Sequence, residues 1–592
     1  MRFRSTIMVL AATLTVAVIG PSVSISGPTQ NEGPGAEAAA DHLPPPEKSI
    51  GFYVGKDLTV EGAPLLGGFG HEPSSHWIDI VPAQQHPEGA TIEVGVTEEA
   101  RLSGELIEIP QVPETAKYIS STYSEFAGFP PPLTNGGLNE HGVAARDIWS
   151  PSREELVAMT PDPQRGLNYS DLSRIVMERA TSAREAVEIV GELIDEYGYA
   201  TYGGNSHLFA DEDEGWVFIN YAGGQGLWAA ERLGPDEVRV SYPGYILDFP
   251  ADHEASSDHL ASANLTDVAL DQGWWDGEGE TLDLQEVYGR PFPGEGVELE
   301  EDAHIATREP LEREDELTAM APVSLEDMLA LVRDPRWSND HAGYGQVAEL
   351  PSDIHDELRT LWVATTGAVT TPYVPIAIGA EEVPPEFRQH RYMTKDADAT
   401  FLDADYAAQE ATRYATREFK RLMYFTCDRP LDFLHDVTGA IEGFEQQLLA
   451  EQDDLAQQAR ELYEADDPEA ARSLLTDYAE QRLLDSLALG MELTDEVEAE
   501  TRERYGIREP EGEDVGGETT PPESQPMHGS DRITCYDVAL DEYPREHGIY
   551  TDTETAPERP PRGGPPFDPP GPPSERPPVE RPGPPSDRGP NR

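Results

Sequence analysis

Lysine is almost missing from this chain. Five lysines stand among 42 basic residues, against 113 Asp and Glu, and the formal charge is −71. Such a surface repels nucleic acid and anionic lipid, which excludes both as partners. The acid is spread along the whole chain, the pattern of a protein adapted to high salt, where repulsion is screened. Cysteine is equally scarce. Cys427 and Cys535 are the two in 592 residues, and neither has His or Cys at metal-ligand spacing. In an oxidising compartment they could pair, and the sequence leaves that open. Long apolar runs are missing too, with one exception. "TIMVLAATLTVAVIG" lies between the basic "MRFR" and the small residues "SIS". It is short for a spanning helix and reads as the core of a signal peptide over residues 1–26, with an uncleaved anchor as runner-up. The expectation is a secreted or extracytoplasmic protein with no stable membrane span.

The remainder is unevenly organised. Residues 27–48 are Gly, Ala, Pro and acid, a disordered lead or propeptide. From Ser49 to about Asp248 the pattern is strands and turns with one clear helix. "IGFYVG" and "TIEVGV" read as strands, and "WVFINYAGGQGLWAAERL" as a hairpin. In "SAREAVEIVGELIDEYG" the apolar residues Ala186, Val187, Ile189, Val190, Leu193 and Ile194 recur at helical spacing, and Gly198 closes the helix. Residues 251–320 are acidic with two short helical pieces. "VSLEDMLALVRD" predicts a helix capped by Ser324, with Asp327 completing a capping box. "LRTLWVATTG" and "TPYVPIAIG" predict strands, and residues 397–506 predict helices packed on or beside the core. Residues 508–555 read as a linker with a short ordered piece. Residues 556–592 hold 15 prolines and predict an extended solvated tail.

Several site motifs fail on their spacing. "HEPSSH" puts His71 and His76 five apart with Pro73 between, so no helix could aim both at one zinc. "GGQGLW" lacks the strand-to-helix setting of a nucleotide loop, and no G-x-S-x-G elbow occurs. The acidic runs at 211–214 and 298–302 lack the ligand order of a calcium loop. No cofactor and no metal is implied.

The motifs taken in order say more. "SIGFYVGKDLTVEG", "GGLNEHGVAARD", "SAREAVEIVGELIDEYGYA", "HLFADEDEGWVF", "GLWAAERLGPDEVRVS", "ASANLTDVALDQGWWD", "VSLEDMLALVRD" and "TPYVPIAIGAEEVPPEF" follow one another over residues 49–445. This order resembles the PepD-type dipeptidases, the dipeptidase A family of N-terminal nucleophile (Ntn) hydrolases. The resemblance implies an α+β fold: a four-layer αββα sandwich over residues 49–445, with C-terminal helices over 446–507. It implies amide hydrolysis of dipeptides or short peptides by the first residue of the mature chain. That residue's side chain attacks the scissile carbonyl, and its own α-amine is the base a weak nucleophile needs. Aligned on Val54-Gly55-Lys56, Ser49 stands where the family keeps its nucleophilic cysteine. A cut at Lys48-Ser49, autocatalytic or by another protease, is then required to free the amine.

The same alignment places Gly68 on the family's arginine and His71 on its aspartate, which makes His71 the candidate for the lost polar role. The family's asparagine after the "VRVS" strand falls within Tyr242 to Tyr245 and is missing. Asn139, in "GLNEHG", matches the family's Asn-Glu pair and is the candidate oxyanion donor; a turn-forming Asn before Gly142 would look the same. The rival expectation is an inactive homologue, a binding or structural protein on the same scaffold.

Overall fold

"IGFYV" alternates nothing: every residue from Ile50 to Val54 is buried. A strand can be apolar on both faces only when it is covered on both, and its partners show how. The computed structural model of the chain describes residues 49–71, 76–123, 128–241, 243–289, 309–335, 337–338, 342–388, 414–507 and Cys535. The expected signal peptide, lead, Pro-rich tail and, apart from Cys535, linker lie outside the described residues.

The main strands are β1 (Ile50–Val54), β2 (Leu65–His71), β3 (His76–Val81), β4 (Tyr118–Tyr123), β5 (Gly136–Asn139), β6 (Ala144–Ile148), β7 (Asn205–Ala210), β8 (Gly215–Asn220), β9 (Trp228–Leu233), β10 (Val238–Ser241), β11 (His259–Ala261), β12 (Ala342–Glu349), β13 (Thr360–Ala364) and β14 (Val374–Ala377). They form two large sheets. One is six-stranded in the order β10-β1-β2-β12-β13-β14. The other runs β11-β9-β8-β7-β6-β5-β4-β3 and gains Leu133–Thr134 as a ninth strand beside β4. All these pairings are antiparallel. The expected hairpin is β8 and β9, joined through the Gly-Gly-Gln-Gly turn.

The two sheets bury one face against each other. Ile78, Ile119, Leu138, Ala144, Ile148, Leu208 and Val217 of the larger sheet share a core with Tyr53, Leu66, Ala348 and Leu361 of the smaller. An ion pair joins the sheets as well: Arg239 Nη2 of β10 donates to Glu231 Oε2 of β9 at 2.6 Å. Burial alone would raise the Glu231 carboxyl, but His259 and Arg239 overcome it and hold the group down to about 2.

Helices cover the opposite faces. α1 (Tyr169–Arg179) and α2 (Ala183–Tyr197) lie on the larger sheet. α2 is the helix the spacing predicted. Ser182 accepts from Glu185 N at 3.1 Å, and Gly198 ends the helix at φ +88°. Its fully buried Val187 and Val190 pack with Phe209, Trp216 and Phe218, each worth about 1.5–3 kcal/mol. On the smaller sheet lie α3 (Glu309–Met320) and α4 (Leu325–Val332), the latter with its capping box intact.

Three longer helices follow: α5 (Ala415–Cys427), α6 (Pro430–Glu464) and α7 (Pro468–Tyr505). The sequence reading puts a boundary at 445/446. It falls inside the continuous helix α6, and Leu448, Ala479 and Leu483 belong to the same core as β1. Two long-range links fix these helices. Cys427 and Cys535 form a disulfide, closing a separation of 108 residues. Arg333, just after α4, and Glu445 of α6 form a fully buried pair, with Arg333 Nη1 donating to Glu445 Oε2 at 2.9 Å. Among the described residues no helix is long and apolar enough to cross a membrane.

One carboxylate on β12 gives a pH signature. Burial, with the charges of Glu61 and Asp453 nearby, pushes Glu349 up to about 7. A carboxyl raised in the folded state favours folding fully below its unfolded pKa, near 4.5. That contribution is lost as pH rises through 7. We expect Glu349→Gln to stabilise the protein by roughly 2 kcal/mol at pH 8 and by nothing at pH 4. Urea unfolding at both values checks this; an equal effect at both would refute the assignment.

Candidate functional site

Ser49 directly precedes β1 and is 4% exposed. Strand alternation sets where its side chain goes. A Cβ on Gly51 would come within 2.8 Å of Leu208 and 2.9 Å of Ile148, both on the larger sheet. The Tyr53 ring lies against Gly215, also on that sheet. Ser49, Gly51 and Tyr53 share a face, so Ser49 is on the side of β1 that meets the second sheet. β1 is flanked by β2 and β10, with Gly68 and Ser241 opposite Gly51.

The arginine position is closed as well as empty. A Cβ on Gly68 would sit 2.2 Å from the carbonyl oxygen of Ile50, at a φ of +154°. No side chain fits without moving the strand beside the candidate nucleophile. Gly68→Ala is expected to lower stability by about 2–4 kcal/mol, and Gly68→Arg to restore no activity. Urea unfolding of the alanine variant within 0.5 kcal/mol of wild type would show instead that β2 relaxes readily.

His71 is the last residue of β2, paired across the ladder with Ala342. β2 belongs to the smaller sheet and β3 to the larger, so the chain changes sheets between His71 and His76.

Asn139 is placed elsewhere. Its Nδ2 donates to Met177 O at 3.2 Å and Ala180 O at 2.8 Å, both at the end of α1. Its Oδ1 accepts from His141 N and Val143 N within the β5–β6 turn. The amide therefore ties a hairpin to a helix on the outer face of the sheet, away from the face that Ser49 meets. The structure does not bring Ser49 and Asn139 together.

Between the sheets it brings together residues that the sequence reading passed over. Arg146, of β6, is fully buried on the inner face. Its Nη1 donates to Tyr344 Oη of β12, and its guanidinium lies 4.8 Å from the centre of that ring. His76, at the start of β3, packs its ring 5.2 Å from both Tyr344 and Tyr123. Tyr344 pairs with Gly70, and continuing the Ile50–Phe69 register puts Ser49 on the other side of Gly70. Ser49 and Tyr344 are thus two strands apart in one row, about 10 Å between backbones.

The motif "GVAARD" held the signal. Arg146 alternates with Ala144 and Ile148, a charge on an otherwise apolar face. Such an arginine reads equally as the solvent side of an antiparallel strand.

A Ser–His contact outside this group is structural. Ser173 Oγ meets His207 Nε2 at 3.1 Å, but both are fully buried between α1 and β7. Burial pushes His207 down to about 3, so it stays neutral. Among the described residues no group of three or more His, Cys, Asp or Glu could hold a metal ion.

Comparison with known proteins places part of this chain. Residues 108–295 match the model of Peptidase family C69. A probable dipeptidase B of Lactococcus lactis subsp. lactis (strain IL1403) is 33% identical over 132 residues, which is 22% of this chain and 26% of the relative. A probable dipeptidase A of Streptococcus pyogenes serotype M3 (strain SSI-1) is 33% identical over 137 residues, 22% of this chain and 27% of the relative. The chain thus spans about a quarter of the length of these curated relatives. Among solved structures, a mutant conjugated bile acid hydrolase from Clostridium perfringens aligns at 13% identity and a TM-score of 0.27, covering 56% of this chain and 93% of that one. A second variant of the same hydrolase aligns at 12% and 0.28, covering 58% and 97%. The homology to dipeptidase-like cysteine peptidases is distant and partial. The matched segment includes Asn139 and Arg146 but stops short of Ser49.

Proposed function

We propose that this chain is a secreted peptide hydrolase of dipeptidase type, built as a four-layer αββα sandwich. Ser49 is its nucleophile once residues 1–48 have been removed. The observation that carries the reading is the place of Ser49: buried, at the head of β1, a strand flanked on both sides in the smaller sheet, on the face that meets the larger one. The family match of the hairpin and following strands supports peptide-bond hydrolysis as the chemistry. The excess of acid supports work in concentrated salt.

In the reaction the Ser49 hydroxyl adds to the scissile carbonyl and its proton passes to the neutral α-amine. The amine returns that proton to the departing amino group, leaving an acyl ester on Ser49. Water, activated by the same amine, then hydrolyses the ester. An α-amine titrates near 8, so the rate should rise with pH through that value.

A second reading, an inactive homologue that binds peptides, is favoured by the closed backbone at Gly68 and by the engaged amide of Asn139. One preparation separates the two. The mass of the mature secreted protein and its rate on free dipeptides in high salt are measured together. A chain beginning at Ser49 with turnover supports the hydrolase. A chain retaining residues before Ser49, or beginning there without turnover, excludes the Ntn mechanism.

A further inference from the structure

Beside the Arg146–Tyr344 pair stands Gln346, two residues along β12 and on the same inner face. Its Nε2 donates to Ala145 O at 2.9 Å, which carries the side chain across the gap to β6. Its Oε1 is buried and among the described residues meets no hydrogen-bond donor. Ser121, facing inward from β4 beside Ile119, is fully buried, and its hydroxyl also has no hydrogen-bond partner among the described residues. Leaving a buried polar atom unmatched is costly, so each such group calls for an explanation. β2 puts no side chain between this group and Ser49: Gln346 is paired across the ladder with Gly68, and Tyr344 with Gly70.

We infer that Arg146, with Gln346 and Ser121, forms the subsite that selects peptides by a free C-terminal carboxylate. Resting on the hydrolase reading above, this adds the residue that sets substrate class. The guanidinium and the Ser121 hydroxyl donate to the carboxylate; the Gln346 carbonyl accepts from the last peptide N–H. Arg suits the task because its planar fork matches a carboxylate. The spacing agrees. Ser49 and Tyr344 stand about 10 Å apart, and an extended peptide advances about 3.6 Å per residue. One or two residues beyond the scissile bond cover the gap once the side chains reach in.

Binding can be tested apart from turnover. Calorimetric titration of the full-length Ser49→Ala protein with glycyl-leucine and with glycyl-leucinamide compares a free acid with its capped twin. The acid should bind about 30-fold more tightly. Arg146→Gln should remove that preference while leaving the amide's affinity unchanged. Tyr344→Phe removes one hydroxyl, is the milder change should Arg146→Gln fail to fold, and should narrow the preference several-fold. Equal binding of acid and amide, no binding of either at millimolar concentration, or equal weakening of both in the variants would overturn the assignment. The two readings fail separately. A preference for the acid in a protein without turnover would sink the hydrolase and leave the subsite; Ser49-dependent turnover without the preference would do the reverse.

Discussion

Replacing Ser49 by alanine is expected to cut dipeptide hydrolysis at least about 1000-fold, since removing the nucleophile of a serine hydrolase costs this much or more. The side chain carries the bond-forming oxygen. Ser49→Cys should retain activity, because a thiolate is the stronger nucleophile and the α-amine remains beside it. The two substitutions also report on maturation. If the chain cuts itself at Lys48-Ser49, the alanine variant keeps its lead and the cysteine variant loses it. If another protease cuts, both begin at residue 49. Rates in high salt and intact masses decide. A Ser49→Ala protein as fast as wild type would remove Ser49 from the chemistry altogether.

The largest loss of stability should come from Arg333→Met. The Arg333 guanidinium makes a two-pronged contact with Glu445, donates through Nε to Ala368 O at 3.2 Å, and lies over the Tyr373 ring. Glu445 Oε1 also accepts from Tyr373 N at 2.6 Å. Removing the arginine leaves a carboxylate buried without its counter-charge, a loss of about 3–5 kcal/mol. Changing both partners, Arg333→Met with Glu445→Leu, removes the charge along with its need and should recover most of the loss. Urea unfolding of the single and double variants measures the difference. If the double variant is no more stable than the single, the pair matters for its links to Ala368 and Tyr373 rather than for its charge.

Local structure was legible in the sequence wherever one segment contained the whole signal. Ser182 and Gly198 bracket a helix because the cap and the φ-positive stop are encoded at its ends. Ser324 and Asp327 form their box for the same reason, and the β8–β9 hairpin follows from two apolar runs about a short glycine-rich turn. What could not be read was where polar side chains go once elements pack. Asn139 gives the same local pattern whether it serves an oxyanion or a turn; only α1, some forty residues on, decides. Arg146 and Gln346 look like ordinary exposed alternation on antiparallel strands, and the facing sheet makes them interior. Arg333 reads as the polar end of a helix and Glu445 as the wet side of another. Their pairing across 112 residues has no local trace. The alignment that points to Ser49 located a strand end, but the companions it expected at 68 and 71 are a closed backbone position and a strand terminus.

The order of strands also separates the two sheets in time. The larger sheet is drawn from one region of the chain, His76 to Ala261, interrupted only by β10 of the smaller sheet. The smaller sheet is assembled from three distant pieces. β1 and β2 must wait for β12, whose residues pair with β2 across roughly 270 intervening positions. Contacts of such sequence separation form late, because the chain must close a long loop before they reward it. The ground on which Ser49 stands is therefore the last part of the molecule to set. A chain that has folded only its larger sheet holds Arg146 and Asn139 but has no place yet to put a nucleophile.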